Sequence, residues 1–233
     1  MNKDRFIEEV KKLGIEVTNK KLEQLERYYE LLIEYNKVMN LTGITEREEV
    51  YLKHFYDSLT ISKITDLNNE NSLCDLGSGA GFPGIVIKIF YPELEIVLVD
   101  SLNKRIKFLN IVIKELRLEK IKATHSRIEE YAVVNKEQFD VVTARAVAPL
   151  NILLELGINL VKVGKYFVAM KGNIENEPDY SNALKKLDCS LGNIIKFKLP
   201  IEESNRSLIK IIKEKTTSKL FPRKYSEIKK KPL

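Results

Sequence analysis

The stretch Asp75-Leu-Gly77-Ser-Gly79-Ala-Gly81-Phe82-Pro-Gly84 decides how the rest of the chain is read. It follows the apolar run SLCDL (72–76) and leads into a helix pattern from Phe82 to Tyr91. A glycine-rich turn between a strand and its helix lets a ligand approach the backbone and its amide N–H groups. Asp100 closes the next apolar run, EIVLVD (95–100), 19 residues after Gly81. A carboxylate at that strand end can accept hydrogen bonds from both hydroxyls of a ribose. Turn and acid together predict a nucleoside-bearing cofactor.

The spacing narrows the choice of cofactor. A dinucleotide fingerprint needs G-x-G-x-x-G, and its last position here is Phe82. Without that glycine a pyrophosphate sits poorly over the helix start. Asp-x-Gly-x-Gly-x-Gly instead suits S-adenosylmethionine (SAM), which has no phosphate. In that setting Asp75 orients the cationic amino-acid end or its water shell, and Gly77 and Gly79 pass beneath it. A tight turn with no ligand and a nicotinamide site are the competing readings.

Outward from the turn, strand and helix patterns alternate. Leu102 to Leu116 reads as a helix, with Ile106, Leu109, Ile113 and Leu116 on one face. IKATHS, FDVVTA (139–144) and KYFVAMK (165–171) read as strands, with a helical stretch from Leu150 to Leu160. One more helix (Tyr180 to Leu187) and two β-rich runs, IIKFKLP (194–200) and SLIKIIK (207–213), follow. This alternation predicts an α/β fold: a Rossmann-like, doubly wound, mostly parallel sheet. Before residue 66 the texture is helical. Phe6, Ile7, Val10 and Leu13 form one stripe, stopped by Gly14. Leu22, Leu25, Tyr29, Leu32 and Tyr35 form a second, ending near Asn40. Thr45 and Glu48 have capping-box spacing, predicting a third helix through Val50, His54 and Phe55. The polar DLNNEN (66–71) is the candidate boundary. The expected division is therefore a helical N-terminal lobe, 1–66, and an α/β domain that carries the cofactor turn and a basic tail, 67–233.

Composition excludes several classes. The 233 residues are 44% hydrophobic and 31% charged, ordinary for a globular protein. No apolar run approaches the roughly 18 residues of a membrane helix. The charged opening MNKDRF does not resemble a signal peptide. Cys74 and Cys189 lie 115 residues apart without a CxxC partner, so reduced thiols and a cytoplasmic location are expected. No His/Cys cluster has metal-ligand spacing. Net charge is +6, but residues 196–233 alone carry 12 Lys or Arg against four Glu. A basic excess in one segment suits a polyanion, although a solvated lysine-rich face gives the same count.

Longer motifs carry a family resemblance. DLGSGAGFPGI, LVDSLNKRIKFL, TARAVAPL and KLPIEESNRSL resemble the glucose-inhibited division protein B family. This family, also called RsmG, comprises bacterial 16S rRNA guanine-N7 methyltransferases. NLTGI (40–44), HFYDSL (54–59), Lys171-Gly172 and Phe221-Pro-Arg223-Lys match too, from about residue 36 to the C-terminus. The tail departs: where the family continues Pro-Gly-x-Pro, this chain has Tyr225-Ser-Glu-Ile. The resemblance implies SAM as cofactor and 16S rRNA or the small ribosomal subunit as partner. It also implies that Gly77 and Phe82 contact the cofactor in the turn. Ile128 and Glu129 would meet the adenine edge, and Arg145, in TARA, would be a further cofactor-site residue.

Methylating guanine N7 requires no general base, because that nitrogen has a free lone pair and no proton. No catalytic residue is assigned accordingly; Asn40 and His54 are the weak candidates. A His54–Asp57 hydrogen bond locking the helical lobe to the sheet competes with a catalytic reading of His54. Tyr28 and Tyr29 read as core or interface aromatics, and Lys104 and Arg105 require an anionic partner at their helix start. Lys219, Arg223, Lys224, Lys229 and Lys230 are the RNA-backbone candidates. A monomer is expected, with no membrane contact. The alternatives are a SAM enzyme acting on a small molecule or protein, a noncatalytic RNA-binding protein with a relic cofactor fold, and a nicotinamide-dependent oxidoreductase.

Overall fold

A computed structural model describes residues 1–233. The chain opens with α1 (Lys3–Lys12) and α2 (Asn19–Met39), capped by Asn2 and Thr18, whose side chains accept from Arg5 and Lys21 N–H. α3 (Arg47–Val50), a π-helical stretch (Tyr51–Tyr56) and α4 (Asp57–Leu59) form one continuous segment. Its start departs from expectation. Glu46, not Thr45, is the cap position, and no side-chain cap bond forms.

Then come β1 (Ser72–Leu76), α5 (Gly84–Phe90), β2 (Glu95–Asp100), α6 (Asn103–Glu115) and β3 (Ile121–His125). α7 (Ile128–Val134), which hydrophobic periodicity did not reveal, leads to β4 (Phe139–Arg145), α8 (Leu150–Gly157) and β5 (Val161–Lys171). α9 (Ser181–Lys186), β6 (Cys189–Lys198), β7 (Asn205–Lys213) and α10 (Tyr225–Lys230) complete the chain.

The seven strands lie in the order β3-β2-β1-β4-β5-β7-β6. The first five are parallel; β7 runs antiparallel to both β5 and β6. The chain moves outward from β1 through β3, then returns to place β4 on the other side of β1. That reversal opens a crevice at the C-terminal ends of β1 and β4, where open α/β sheets bind ligands.

Side chains alternate across the sheet, so each face has its own core. Forty-two buried residues join α1, α2, the 47–64 segment, α5 and α6 to one face, with Leu73, Val168 and Leu208 among them. Twenty-two others, including Cys74, Phe167, Leu150 and Leu154, bind α7, α8 and α9 to the opposite face. The helical lobe thus shares its core with the sheet. Tyr28 of α2 shows the depth of this contact: it is fully buried, stacks on Phe55, and donates to the Ala80 carbonyl in the glycine turn at 2.5 Å.

Candidate active site

Two cavities lie side by side above the crevice and share one residue, Ala146, immediately after β4. The first, of about 390 Å³, is lined by Gly77, Asp100, Arg105, Ile128, Glu129 and Tyr225, among others. β1 delivers Gly77, β2 delivers Asp100, and the start of α7 delivers Ile128 and Glu129. Gly77 has φ +65°, and a Cβ there would stand 2.7 Å from Val147 Cγ2, so the site tolerates only glycine without a shift. Gly84 allows the opposite approach, bringing α5 onto β1: a Cβ would meet Leu98 at 2.2 Å and the Asp75 carboxylate at 2.8 Å.

The amides of the turn separate the possible cofactors. Gly77 and Ser78 N–H donate to Val99 O, and Gly81 and Phe82 N–H to Ser78 O. Gly79 N–H donates to Asp100 Oδ2 at 2.9 Å, and Gly84 N–H to Asp75 Oδ2 at 3.0 Å. Six donors that a phosphate-gripping loop would aim at its ligand are instead committed to protein acceptors. A phosphate-free cofactor suits such a turn, and a pyrophosphate does not.

Asp100 is held for its position. Its side chain is 2% exposed, and Leu102 N–H (2.9 Å), Gly79 N–H and the Arg105 guanidinium (3.2 Å) fix both carboxylate oxygens. Oδ1, which accepts from Leu102 alone, keeps lone-pair capacity for a hydroxyl donor, whereas Oδ2 already accepts from both Gly79 and Arg105. The Arg105 pairing supplies the anion that the helix-start cation required; Lys104 instead donates to the Met39 carbonyl at 2.8 Å. Asp75 lies beneath the turn, wholly buried, with Oδ1 unpartnered. Burial raises its pKa to about 7. It lines neither cavity, so its present contact is to the start of α5. Arg105 Nε, also buried and unpartnered, belongs to a residue of the cavity wall. Volume, ribose-type acceptor, closed amides and the unpartnered Arg105 Nε in the cavity wall together fit SAM.

The second cavity, of about 340 Å³, is built from distant parts of the chain. His54 and Asp57 come from the segment after α3, Arg145 from β4, Met170 and Lys171 from β5, and Phe197, Arg206 and Leu208 from the β6–β7 hairpin. Arg145 faces this cavity and not the one holding Gly77 and Asp100. It donates to Asp57 Oδ2 at 2.9 Å and to Lys53 O at 3.0 Å. Arg206 Nε takes the other Asp57 oxygen at 3.0 Å. The lobe is therefore pinned to the sheet by Arg145–Asp57–Arg206, and not by a His54–Asp57 bond.

His54 makes different contacts. Its ring stacks on Phe82 at 4.3 Å and 18°, and its Nε2 meets Thr42 Oγ1 at 2.9 Å. Burial, reinforced by the Arg145 charge, lowers its pKa to about 3, so the imidazole is neutral at pH 7. Phe82 has the Arg145 guanidinium 5.4 Å from its ring centre, and lines neither cavity despite its place in the turn. Asn40 is exposed as the left-handed cap of α2, with φ 49°, and lines neither cavity either.

Of the tail cations, Lys219, Lys224, Lys229 and Lys230 are exposed. Arg223 is not available to a phosphate. It turns inward to the fully buried Glu155 of α8, with Nε–Oε1 at 2.7 Å and Nη2–Oε2 at 2.6 Å. A buried carboxylate demands such a partner, and no charge count reveals where it lies. Sequence reasoning also missed the hairpin's contribution to the second cavity; the EESNRSL run was legible, but not the sheet order that carries it there.

Fold and crevice define the class: a SAM-dependent methyltransferase with a Rossmann-like sheet. Among solved structures, a SAM-dependent methyltransferase from Aquifex aeolicus superposes with a TM-score of 0.55 at 14% identity, over 72% of this chain and 94% of that one. A mutant of MtNAS in complex with S-adenosylmethionine gives 0.56 at 14% identity, over 84% and 76%. The family described as rRNA small subunit methyltransferase G (GidB) matches residues 21–208. Ribosomal RNA small subunit methyltransferase G of Lysinibacillus sphaericus is 48% identical over the full length of both chains. Its Bacillus subtilis counterpart is 46% identical over 100% of this chain and 99% of its own. The chain belongs to the GidB family of small-subunit rRNA methyltransferases. No helix is long and apolar enough to cross a membrane.

Proposed function

We propose that the chain methylates N7 of a guanine in 16S rRNA, with SAM in the Gly77–Asp100 cavity and the guanine in the His54–Arg206 cavity. The observation that carries this reading is that the two cavities meet at Ala146, so a donor in one and an acceptor in the other would be neighbours. Asp100 would accept from the ribose, the start of α7 at Ile128 and Glu129 would border the adenine, and Gly77 would leave room for the cofactor. SAM supplies an electrophilic methyl group.

The chain's own task is placement. N7 presents a lone pair and no proton, so no residue need act as a base, which agrees with a neutral, stacked His54. The second cavity offers apolar walls in Ile44, Met170 and Leu208 for a purine, and its cations Lys53, Lys171 and Arg206 border it as ion pairs with Glu49 and Glu202, Glu177 and Asp57. Holding base and cofactor in fixed orientation supplies most of what such a transfer needs.

The test is transfer of labelled methyl from SAM to unmodified small subunits, with purified 16S rRNA and bulk protein in parallel. Label in RNA, followed by chain cleavage at one guanine after reduction and aniline treatment, is the expected result. Label in protein, or in RNA that resists cleavage, would overturn the acceptor assignment.

A further inference from the structure

The C-terminal segment reaches the cofactor cavity, and none of its lysines does. Tyr225, the first residue of α10, lines that cavity beside Asp100, Arg127 and Ile128. The Arg127 guanidinium lies 5.2 Å from the centre of its ring, and Arg127 Nε in turn bonds Glu129 Oε1 at 2.6 Å. We propose that Tyr225 is a cofactor-contact residue that walls the end of the SAM cavity bordered by Ile128 and Glu129. The Arg223–Glu155 ion pair anchors the chain just before it. The inference rests on the SAM assignment of the preceding section.

The anchoring is unusually firm for residues so near a chain end. Glu155 Oε1 accepts both the backbone N–H of Arg223 (3.0 Å) and its Nε, while Arg223 Nη2 also donates to Lys231 O at 3.0 Å. Ile228 is wholly buried, and Leu233 joins the core beneath α7, α8 and α9. One residue separates Arg223 from Tyr225, so the buried ion pair fixes where the ring can stand. A tyrosine brings a broad flat surface at a low entropy cost. Its neighbour across the cavity would be the purine end of the cofactor, which offers a π-face to stack on. Meanwhile Lys224, Lys229 and Lys230 face solvent. The tail thus serves the cofactor side of the enzyme, whatever its lysines do.

Calorimetric titration of SAM into the full-length protein tests this. Wild type should bind; failure to bind would remove the SAM reading itself and this inference with it. Tyr225→Ala should bind SAM about tenfold more weakly, as for loss of one base-stacking aromatic, and raise KM for SAM with little change in kcat. Tyr225→Phe should stay within twofold of wild type, and thermal midpoints of both should stay close to it. Because the chain contains no tryptophan, Tyr225→Trp provides a single reporter whose emission should change on SAM addition. That variant decides the matter even if the alanine variant folds poorly. Undiminished SAM affinity in Tyr225→Ala, or a silent Trp reporter in a protein that binds SAM, would reduce Tyr225 to a structural residue and overturn the inference.

Discussion

The two cavities are neighbours built by opposite means. The floor of the cofactor cavity is a local feature, a turn and two strand ends within residues 75–105 whose backbone amides are already satisfied by protein acceptors, while the start of α7, the residues after β4 and Tyr225 complete its walls. The second cavity draws on four separated stretches, and arginines paired to one aspartate hold it together. The floor of one site is set by backbone geometry, and the other site is held together throughout by long-range ion pairs. A substitution should therefore disable one without the other, and that separation can be measured.

The largest effect is expected at Asp100. Asp100→Ala should weaken SAM binding about 100-fold, the equivalent of losing one strong hydrogen bond to a charged acceptor, while RNA affinity stays within twofold. Calorimetry with SAM and filter binding with 16S rRNA measure the two sides. If both affinities fell together, the cavities would not be independent.

Next in size is a pH effect confined to the second cavity. The folded-state pKa of His54, about 3, lies below its ordinary value of 6.5. Above pH 6.5 folded and unfolded chains are both neutral there. As pH falls from 6.5 toward 3 only the unfolded chain gains a proton, so stability is lost. At pH 5 the loss is about 2 kcal/mol. His54→Gln should flatten the urea-denaturation stability between pH 7 and pH 5 by that amount, with SAM affinity at pH 7 unaltered. A slope equal to wild type would mean that the imidazole is not desolvated as its packing on Phe82 implies.

The smallest effect sharpens where RNA lies. Lys196 and Lys198 stand exposed on β6, whose Phe197 and β7 partner Arg206 line the second cavity. Lys196→Ala with Lys198→Ala should lower the salt slope of rRNA binding by roughly 1 to 2, from loss of two phosphate contacts. Lys229→Ala with Lys230→Ala provides the comparison on the tail. A larger loss of slope from the tail pair would move the RNA track to the cofactor side.

The same contrast explains what was legible in the sequence. SLCDL and EIVLVD coincide with β1 and β2 because fully buried parallel strands are continuous apolar runs bounded by turns. The Gly77–Asp100 pairing was readable because it depends on two strand ends in one βαβ unit. α7 escaped because its seven residues are too few for a helical period to show, and Val133 and Val134 on it are exposed. The Thr45–Glu48 spacing fits a capping box, yet tertiary placement of the 46–59 segment starts the helix one residue later. Arg145 was correctly located at the sheet edge, but its pairing with Asp57, 88 residues away, follows only from lobe packing. Arg223 looked like one more tail cation, since nothing local announces a buried Glu155.

The shared 42-residue core has a consequence for how this molecule can be divided or inherited. A protease nicking the DLNNEN stretch would cut the chain without releasing two viable halves, because each would expose the apolar face that the other covers. Lineages that reshape substrate choice by exchanging a helical appendage would find none to exchange here. Helices and sheet have to drift together, residue against residue, as a single hereditary unit.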